Sequence, residues 1–421
     1  MSGNGKRGDI LVIGGGISGL TAAIEAAEAG ANVTVVEKEA FLGGRVARTN
    51  LYFPKMCPPS CGIEINIRRV KTNPNVRTLT LATVESIKGG PGAYKATIRK
   101  APRFVNSKCT TCGECVDVCP ADRPDAFNLG MGTTKAVYLP YEMAYPARFV
   151  IDGEACLGAA ECGECVDACP YGAIDLGMEP DTEEAEFDAV IWATGWEPPD
   201  AAQFDGLGYG DFANVVNNVT VERLSAPSGP TNGAILRPSD GEQPQSVAFV
   251  QCAGSRDENY YKHCSGVCCL ASLKQARYVR EQNPEAQIYI FYIDIRAPGR
   301  LEDFFVATKE DEKLSLIKGK VANITEDSAT GTLTVEAEDV LTGRKVAQEV
   351  DMVVLATGMI PTGIGDTQVE GGVELDEHGF LAINQPQGYL AAGCAKRPTD
   401  VATCNRDATG VALKALHLGA E

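Results

Sequence analysis

Apolar runs and polar breaks divide the chain into a strand, a helix and a strand within its first forty residues. Ile10 to Ile13 is a short apolar run and predicts a buried strand. Thr21 to Gly30 is alanine-rich and predicts a helix that Gly30 stops. Val33 to Val36 predicts the next buried strand, ending in Glu37. Alternation predicts strands at 79–81, 83–87 and 94–98, with Gly89-Gly90-Pro91-Gly92 as a turn. Phe187 to Ala193 is an apolar strand running into Thr194-Gly195. The order then recurs. Strands are predicted at 321–325, 332–337 and 345–349, leading into Asp351 to Ala356 and then Thr357-Gly358. Each half thus closes on a β-meander and an Ala-Thr-Gly strand, an internal repeat. The second half begins near Gln245, with strands predicted at 246–251 and 288–293. A helix over Gly410 to Leu418 closes the chain.

Chemistry enters between the first strand and helix. Gly14, Gly16 and Gly19 stand in G-x-G-x-x-G spacing. Gly14 permits a tight turn, Gly16 lets backbone approach a pyrophosphate, and Gly19 lets helix pack on strand. The helix N-terminus faces the phosphates, and Glu37 accepts from ribose hydroxyls. The whole strand–turn–helix–strand–acid unit is present, so a dinucleotide is expected. Gly43-Gly44-Arg45 follows shortly after Glu37 and resembles the second signature of FAD-binding, glutathione-reductase-like flavoproteins. FAD is therefore expected rather than NAD. Arg45 is a candidate to stabilise an anionic reduced flavin by its fixed charge, or to hold the pyrophosphate.

The 421 residues predict two or three domains, and 44% hydrophobic content predicts a real core. A formal net charge of −18 disfavours nucleic acid as a partner. No run of about 18 apolar residues is present to span a membrane. The opening MSGNGKRGD lacks an apolar segment and does not read as a signal peptide. The expectation is a cytoplasmic protein, associated with a membrane only through a partner.

Sixteen cysteines in a reducing compartment argue for metal rather than disulfides. Cys109, Cys112, Cys115 and Cys119-Pro120 match the bacterial ferredoxin run. Cys156, Cys162, Cys165 and Cys169-Pro170 match it with a wider first gap. In two-cluster ferredoxins the fourth cysteine of each run ligates the other cluster. Cys109, Cys112, Cys115 and Cys169 are thus assigned to one 4Fe–4S cluster, and Cys156, Cys162, Cys165 and Cys119 to another. Paired zinc sites are the alternative. In the second half no second G-x-G-x-x-G follows the strand at 246–251. Cys252, Cys264, Cys268 and Cys269 stand there instead, either as ligands of a third cluster or as a structural or redox thiol set. Cys57 and Cys61, in a proline-rich turn soon after the flavin motif, are possible redox thiols, cluster ligands or plain buried thiols. No catalytic acid, base or triad is assigned. His263, His378 and His417 are scattered.

C-x-G-S-R-D at 252–257 followed by C-S-x-x-C-C at 264–269, after the flavin motif, resembles the A-subunit family of heterodisulfide reductase. That family carries an iron–sulfur cluster on the second cysteine set. Gly393-Cys394 also matches, where glutathione-reductase-like proteins carry glycine–aspartate near the flavin. Ala193, Thr194, Gly195 and Gly393 complete the candidate flavin site. The sequence starts at the flavin motif and stops after the closing helix, a compact form similar to the A component of the quinone-interacting membrane-bound oxidoreductase of sulfate reducers. That resemblance implies two partner subunits, one a related flavin and iron–sulfur protein and the other a haem-bearing membrane protein. It also implies an electronic link between the quinone pool and adenylylsulfate reductase. Some relatives split electron pairs between two potentials (flavin-based bifurcation, or confurcation in reverse), and the flavin–cluster wiring motivates the same idea here.

The expected fold is α/β: a glutathione/thioredoxin-reductase-like flavoprotein with two dinucleotide-binding-type halves and an inserted two-cluster ferredoxin domain. The division expected is residues 1–103 for the first part of the FAD domain, 104–178 for the insert, 179–240 for the FAD domain continuation and linker, 241–350 for a degenerate NAD-type domain, and 351–421 for completion of the FAD domain. Two other functions stay open. One is an NAD(P)H-dependent oxidoreductase of the glutamate-synthase small-subunit type, against which the missing second glycine motif argues. The other is a non-catalytic scaffold with a structural flavin.

Overall fold

A computed structural model describes residues 8–418; the N-terminal residues 1–7 of the opening segment lie outside them. Two five-stranded parallel sheets carry the two halves. In the first, Asp9–Ile13 lies between Asn32–Glu37 and Ala189–Trp192, with Val76–Thr80 and Leu390–Ala391 at the edges. In the second, Ser246–Val250 lies between Gln287–Tyr292 and Met352–Leu355, with Leu314–Lys318 and Val215–Asn217 outside. The central strands Asp9–Ile13, Ala189–Trp192, Ser246–Val250 and Met352–Leu355 are buried on both faces, as parallel strands under helices are, so they read as continuous apolar runs. Helix Ile17–Glu28 covers the first sheet together with the closing helix Val401–Leu418. Helix Cys268–Gln282 covers the second.

The repeat extends to single side chains. Asp188 stands between the meander and the Ala-Thr-Gly strand of the first half, and its carboxylate accepts from Asp9 N at 2.7 Å. Asp351 holds the same place in the second half and accepts from Ser246 N at 3.0 Å and Gln245 N at 2.7 Å. Each aspartate ties the start of the central strand to the strand beside it.

Several elements differ from the sequence reading. The run predicted over 187–193 is two strands, Asp181–Phe187 and Ala189–Trp192, broken at Asp188. The stretch at 79–81 is not part of the meander. It belongs to Val76–Thr80, which pairs with the parallel sheet, and Leu81 at φ +55° breaks away from it. The third meander strand is Asp181–Phe187, antiparallel to Tyr94–Lys100. Its acid-rich DTEEAEF sequence hides it. The first helix starts at Ile17, four residues before the alanine-rich run, because Gly16 already caps it. The halves also interleave more than the expected division. Val215–Asn217, within 179–240, and Met352–Leu355, within 351–421, both pair in the second sheet.

The segment 104–178 lies between the strands Tyr94–Lys100 and Asp181–Phe187, and arginines fasten it. Arg223 on helix Asn218–Leu224 is 2% exposed. It donates to Asn128 Oδ1 at 2.9 Å, to the Arg48 carbonyl at 3.2 Å and to the Ser228 carbonyl at 3.0 Å. Its guanidinium lies 4.8 Å from the Phe127 ring centroid. Burial brings its pKa down to about 10. Arg103 similarly donates to Thr80 Oγ1 at 2.9 Å and to the carbonyls of Ala40 and Arg148. Arg223→Ala is expected to lower stability by roughly 3 kcal/mol, from lost charged hydrogen bonds and stacking. A fall in the urea midpoint checks it, and Arg223→Lys is expected to recover only part, since an ammonium lacks the fork.

Candidate functional site

The first site forms where strand Asp9–Ile13 meets helix Ile17–Glu28. Gly14, at φ +107°, donates to the Val36 carbonyl at 2.8 Å, and a Cβ there would lie 2.3 Å from the Ala193 oxygen. A Cβ on Gly19 would lie 1.8 Å from the Gly14 oxygen. Helix and turn therefore touch through backbone alone. Gly16 caps the helix with no side-chain partner for the first-turn amides, which leaves them for an anion. Gly43 N donates to Gly15 O at 2.9 Å, and a Cβ on Gly44 would lie 2.9 Å from Gly16 Cα. The two glycine signatures thus build one backbone cradle.

Glu37 ends strand Asn32–Glu37 and is 6% exposed. Its carboxylate accepts from Gly15 N at 2.7 Å and Glu39 N at 2.8 Å, while burial raises its pKa. Arg45 donates from Nε to the Trp196 carbonyl, and its guanidinium lies 5.1 Å from that ring. Burial lowers the Arg45 pKa to about 10. Ala193, Thr194 and Gly195 form the loop opposite, and Thr194 Oγ1 is buried without a hydrogen-bond partner. Gly393 reaches the cradle from the C-terminal side, where a Cβ would lie 2.0 Å from Ser18 Oγ. Free amides, an orphaned hydroxyl and glycine-only backbone fit a dinucleotide.

The insert holds two cavities. One is lined by Cys119, Cys156, Cys162 and Cys165 with Val137, Ile151 and Leu176. The other is lined by Cys109, Cys112, Cys115 and Cys169 with Val105, Phe149 and Ile174. Each run supplies three cysteines to one cavity and its fourth to the other. Cys115 and Cys165 sit on the short helices Glu114–Asp117 and Glu164–Ala168. Burial, then the neighbouring Cys109, pushes the Cys115 thiol up to about 12, and burial raises Cys165. Burial opposes ionisation of Cys169 as well, but the amides of Ala173, Tyr171, Ile174 and Gly172 outweigh it and hold that thiol low. Four sulfur donors around each apolar-lined cavity fit an iron–sulfur cube.

The third set gathers at the second sheet. Cys252 follows strand Ser246–Val250 at φ +57°, and Cys268 and Cys269 open helix Cys268–Gln282. Burial, then the charge of Cys269, pushes Cys252 up to about 11. Burial, then Cys269, Cys252 and Cys264, raises Cys268, so the four thiols lie within electrostatic reach of one another. Cys264 Sγ accepts from Gly266 N at 3.3 Å, and Cys269 Sγ donates to the Asp294 carbonyl at 3.4 Å. The loop is sewn to the second Ala-Thr-Gly segment: Ser265 Oγ accepts from Met359 N at 2.8 Å, and His263 Nε2 lies 2.8 Å from the Met359 carbonyl. These four cysteines stand where the first half has its glycine cradle.

Cys57 and Cys61 are not drawn into any of these groups. They flank Tyr52, whose hydroxyl burial and the two thiols push up to about 12. Cys57 is half-buried and Cys61 exposed. Sequence reasoning missed the Arg223 joint, for which a single arginine gives no signal, and assigned no role to Cys394 and Cys404, which the structure brings into contact.

Three segments of the chain match known families. Residues 9–58 match the family described as FAD dependent oxidoreductase, and residues 102–122 and 154–172 each match a 4Fe-4S binding domain. The thioredoxin reductase of T. acidophilum superposes with a TM-score of 0.52 at 15% identity, covering 98% of this chain and 99% of that one. That of Lactococcus lactis gives 0.52 at 14%, with the same coverage. The protein therefore has a thioredoxin-reductase-like fold that carries an FAD site and two 4Fe–4S sites. More particularly, it is similar to the iron–sulfur A subunits of heterodisulfide reductases. It is 38% identical over 418 residues to one of the iron-sulfur A subunits of the CoB–CoM heterodisulfide reductase of Methanopyrus kandleri, and 37% over 420 residues to its counterpart in Methanocaldococcus jannaschii. The corresponding component of the H(2):CoB-CoM heterodisulfide,ferredoxin reductase of Methanothermobacter marburgensis is 36% identical over 418 residues. Each alignment covers 96% of this chain, which spans only 63% of the length of these relatives.

Gly19→Ala and Gly44→Ala are expected to weaken FAD retention at least about tenfold, a loss of ~1.4 kcal/mol. Gly90→Ala, with open space where its Cβ would stand, is the control that keeps its flavin. Flavin released per chain from the purified variants checks the comparison.

Proposed function

We propose that this chain is the flavin and iron–sulfur hub of a multi-subunit oxidoreductase. One observation carries the reading. The turn between strand Ser246–Val250 and helix Cys268–Gln282 is lined with cysteines where an NAD site would need glycines. The second half is then a cluster site rather than a nicotinamide site. In this reading the glycine cradle, Glu37, Arg45, Thr194 and Gly393 hold FAD. Cys109, Cys112, Cys115 and Cys169 hold one cluster, Cys156, Cys162, Cys165 and Cys119 the second, and Cys252, Cys264, Cys268 and Cys269 the third.

Bound FAD exchanges one or two electrons and each cluster one, so their combination converts pair traffic into single-electron traffic. The chain's own residues prepare the sites. The first-turn amides of helix Ile17–Glu28 supply positive potential to the pyrophosphate. Glu37 keeps Gly15 in place while its remaining lone pairs meet the ribose. Arg45, stacked on Trp196, brings a fixed cation to the cradle. The Ala173 amide directed at Cys169 stabilises ligating thiolate.

The finer reading, by likeness to the compact A component of sulfate reducers, joins the chain to two partners: a related flavin and iron–sulfur protein and a haem-bearing membrane protein. It links the quinone pool to adenylylsulfate reductase, through bifurcation or confurcation at the flavin. Among the described residues no helix is long and apolar enough to cross a membrane, so a membrane position would come through the partner.

Anaerobic quantitation of iron, acid-labile sulfide, zinc and flavin tests the hub. About twelve irons with matching sulfide and one FAD per chain are expected. Cys252→Ser is expected to lose about four of them and keep about eight. Zinc without sulfide would sink the reading, and rapid flavin reduction by NADH or NADPH would favour the nicotinamide alternative. Electron transfer from the reduced holo-protein to adenylylsulfate reductase tests the finer link; its absence would remove the link and leave the hub.

A further inference from the structure

Two cysteines outside the three cluster sets meet in the core. Cys394 lies in the turn Gly393–Ala395 and Cys404 in the closing helix Val401–Leu418. Their sulfurs are 3.8 Å apart, and the residues are 5% and 4% exposed. Ile17 and Met359 pack around them, with Val46, Trp196 and Val267 at the margin. This bed joins the flavin cradle, through Ile17 and Val46, to the loop of the third cysteine set, through Val267.

The pair also adjoins the first turn of helix Ile17–Glu28. Gly393, at φ +61°, sits so close that a Cβ would lie 2.0 Å from Ser18 Oγ and 3.2 Å from Cys404 Sγ. Asp407 fixes the turn by accepting from Gly393 N at 2.8 Å. The thiols are unequal. Their mutual hydrogen bond draws Cys404 down and pushes Cys394 up, and the Ser18 hydroxyl favours the Cys404 thiolate further. One sulfur is thus prepared as nucleophile and the other as its protonated partner.

We propose that Cys394 and Cys404 are a redox-active dithiol–disulfide pair that exchanges two electrons with the FAD held beside Ser18. Oxidation joins the two sulfurs, which close to about 2.05 Å. Both thiol protons and one electron pair leave, and oxidised FAD is the acceptor of the pair. Reduction returns the pair and two protons and breaks the S–S bond. Burial shuts out bulky soluble thiols, so the electron partner is internal, and the flavin cradle is the adjacent redox site. The proposal rests on the FAD reading and adds a two-electron store to it.

The test uses anaerobic holo-protein poised with redox mediators from fully oxidised to fully reduced flavin, then acid-quenched, alkylated and digested with trypsin. Trypsin cuts after Lys396, between the two cysteines, so a disulfide holds two peptides together. Linked peptides are expected in the oxidised protein and separate alkylated ones in the reduced protein. In a reductive titration Cys404→Ser is expected to take up about two electrons fewer per chain than the wild type. Free thiols at every potential, or an unchanged electron count, would overturn the proposal. If the serine variant loses flavin, the wild-type peptide linkage decides. Flavin and iron counted on the same sample separate an absent cofactor, which would fail the hub, from an absent disulfide, which would fail only the pair.

Discussion

Thiolates cannot share a buried pocket unless positive charge shares it with them. Burial alone pushes Cys115 and Cys252 well above an ordinary thiol, and each neighbouring sulfur pushes further. Iron supplies the missing charge, because ligating sulfur is deprotonated by the metal it binds. The insert depends on this most. Its buried apolar cluster is small: Val105, Val137, Phe149, Ile151, Ala173 and Ile174, completed by Cys115 and Cys165. So short a segment builds little core of its own, and its ligands are part of what core there is.

The two halves show how one framework carries two kinds of site. Both place their site at the C-terminal end of the central parallel strand, ahead of the following helix, the crevice that open α/β sheets offer to ligands. In the first half the approach is so close that backbone touches backbone, and Gly14 and Gly19 leave no room for a methyl group. In the second half a longer loop, 251–267, fills the same crevice with side chains. Ser255 Oγ donates to the Thr357 carbonyl at 3.2 Å, and a Cβ on Gly358 would strike Ser265 Oγ at 2.3 Å. Close packing has moved from strand against helix to loop against the Ala-Thr-Gly segment. A turn spent on holding sulfurs cannot also present a row of free amides to phosphate.

Much of this was legible in sequence because the motifs are local. G-x-G-x-x-G between two apolar runs, and two cysteine runs ending in Cys-Pro, each state their chemistry within about twenty residues, the scale on which such motifs work. The crossed sharing of fourth cysteines between the two cavities follows from the ferredoxin-type spacing of the two runs. What stayed hidden is long-range or disguised. Asp181–Phe187 is a strand whose alternation is carried by acids, and propensity undervalues it until Tyr94–Lys100 pairs with it. Asp188 and Asp351 look like ordinary loop residues until both are seen to cap their central strands. Cys394 and Cys404 fit no spacing rule, because a three-dimensional turn brings them together. Arg223 is one arginine on a short helix, and only its burial distinguishes it.

The joint around Arg223 explains how an acidic insert stays seated. Residues 104–178 carry eleven acids and four lysines or arginines, so charge alone would hold them apart from an already acidic chain. The contact is built instead from guanidinium groups bonded to carbonyls and an amide oxygen and laid over rings. Arg223 and Arg48 lie 4.8 and 5.6 Å from the Phe127 centroid, and Phe127 stacks on Tyr141 at 4.9 Å. A carboxylate partner could follow a cation through many orientations. A planar donor fixed by the Arg48 and Ser228 carbonyls cannot, because it offers Asn128 one direction and Phe127 one face, and rotating the insert would lose both. Geometry rather than net charge therefore seats the insert beside the flavin cradle, and the seat lies in the part of the sequence that carries no motif.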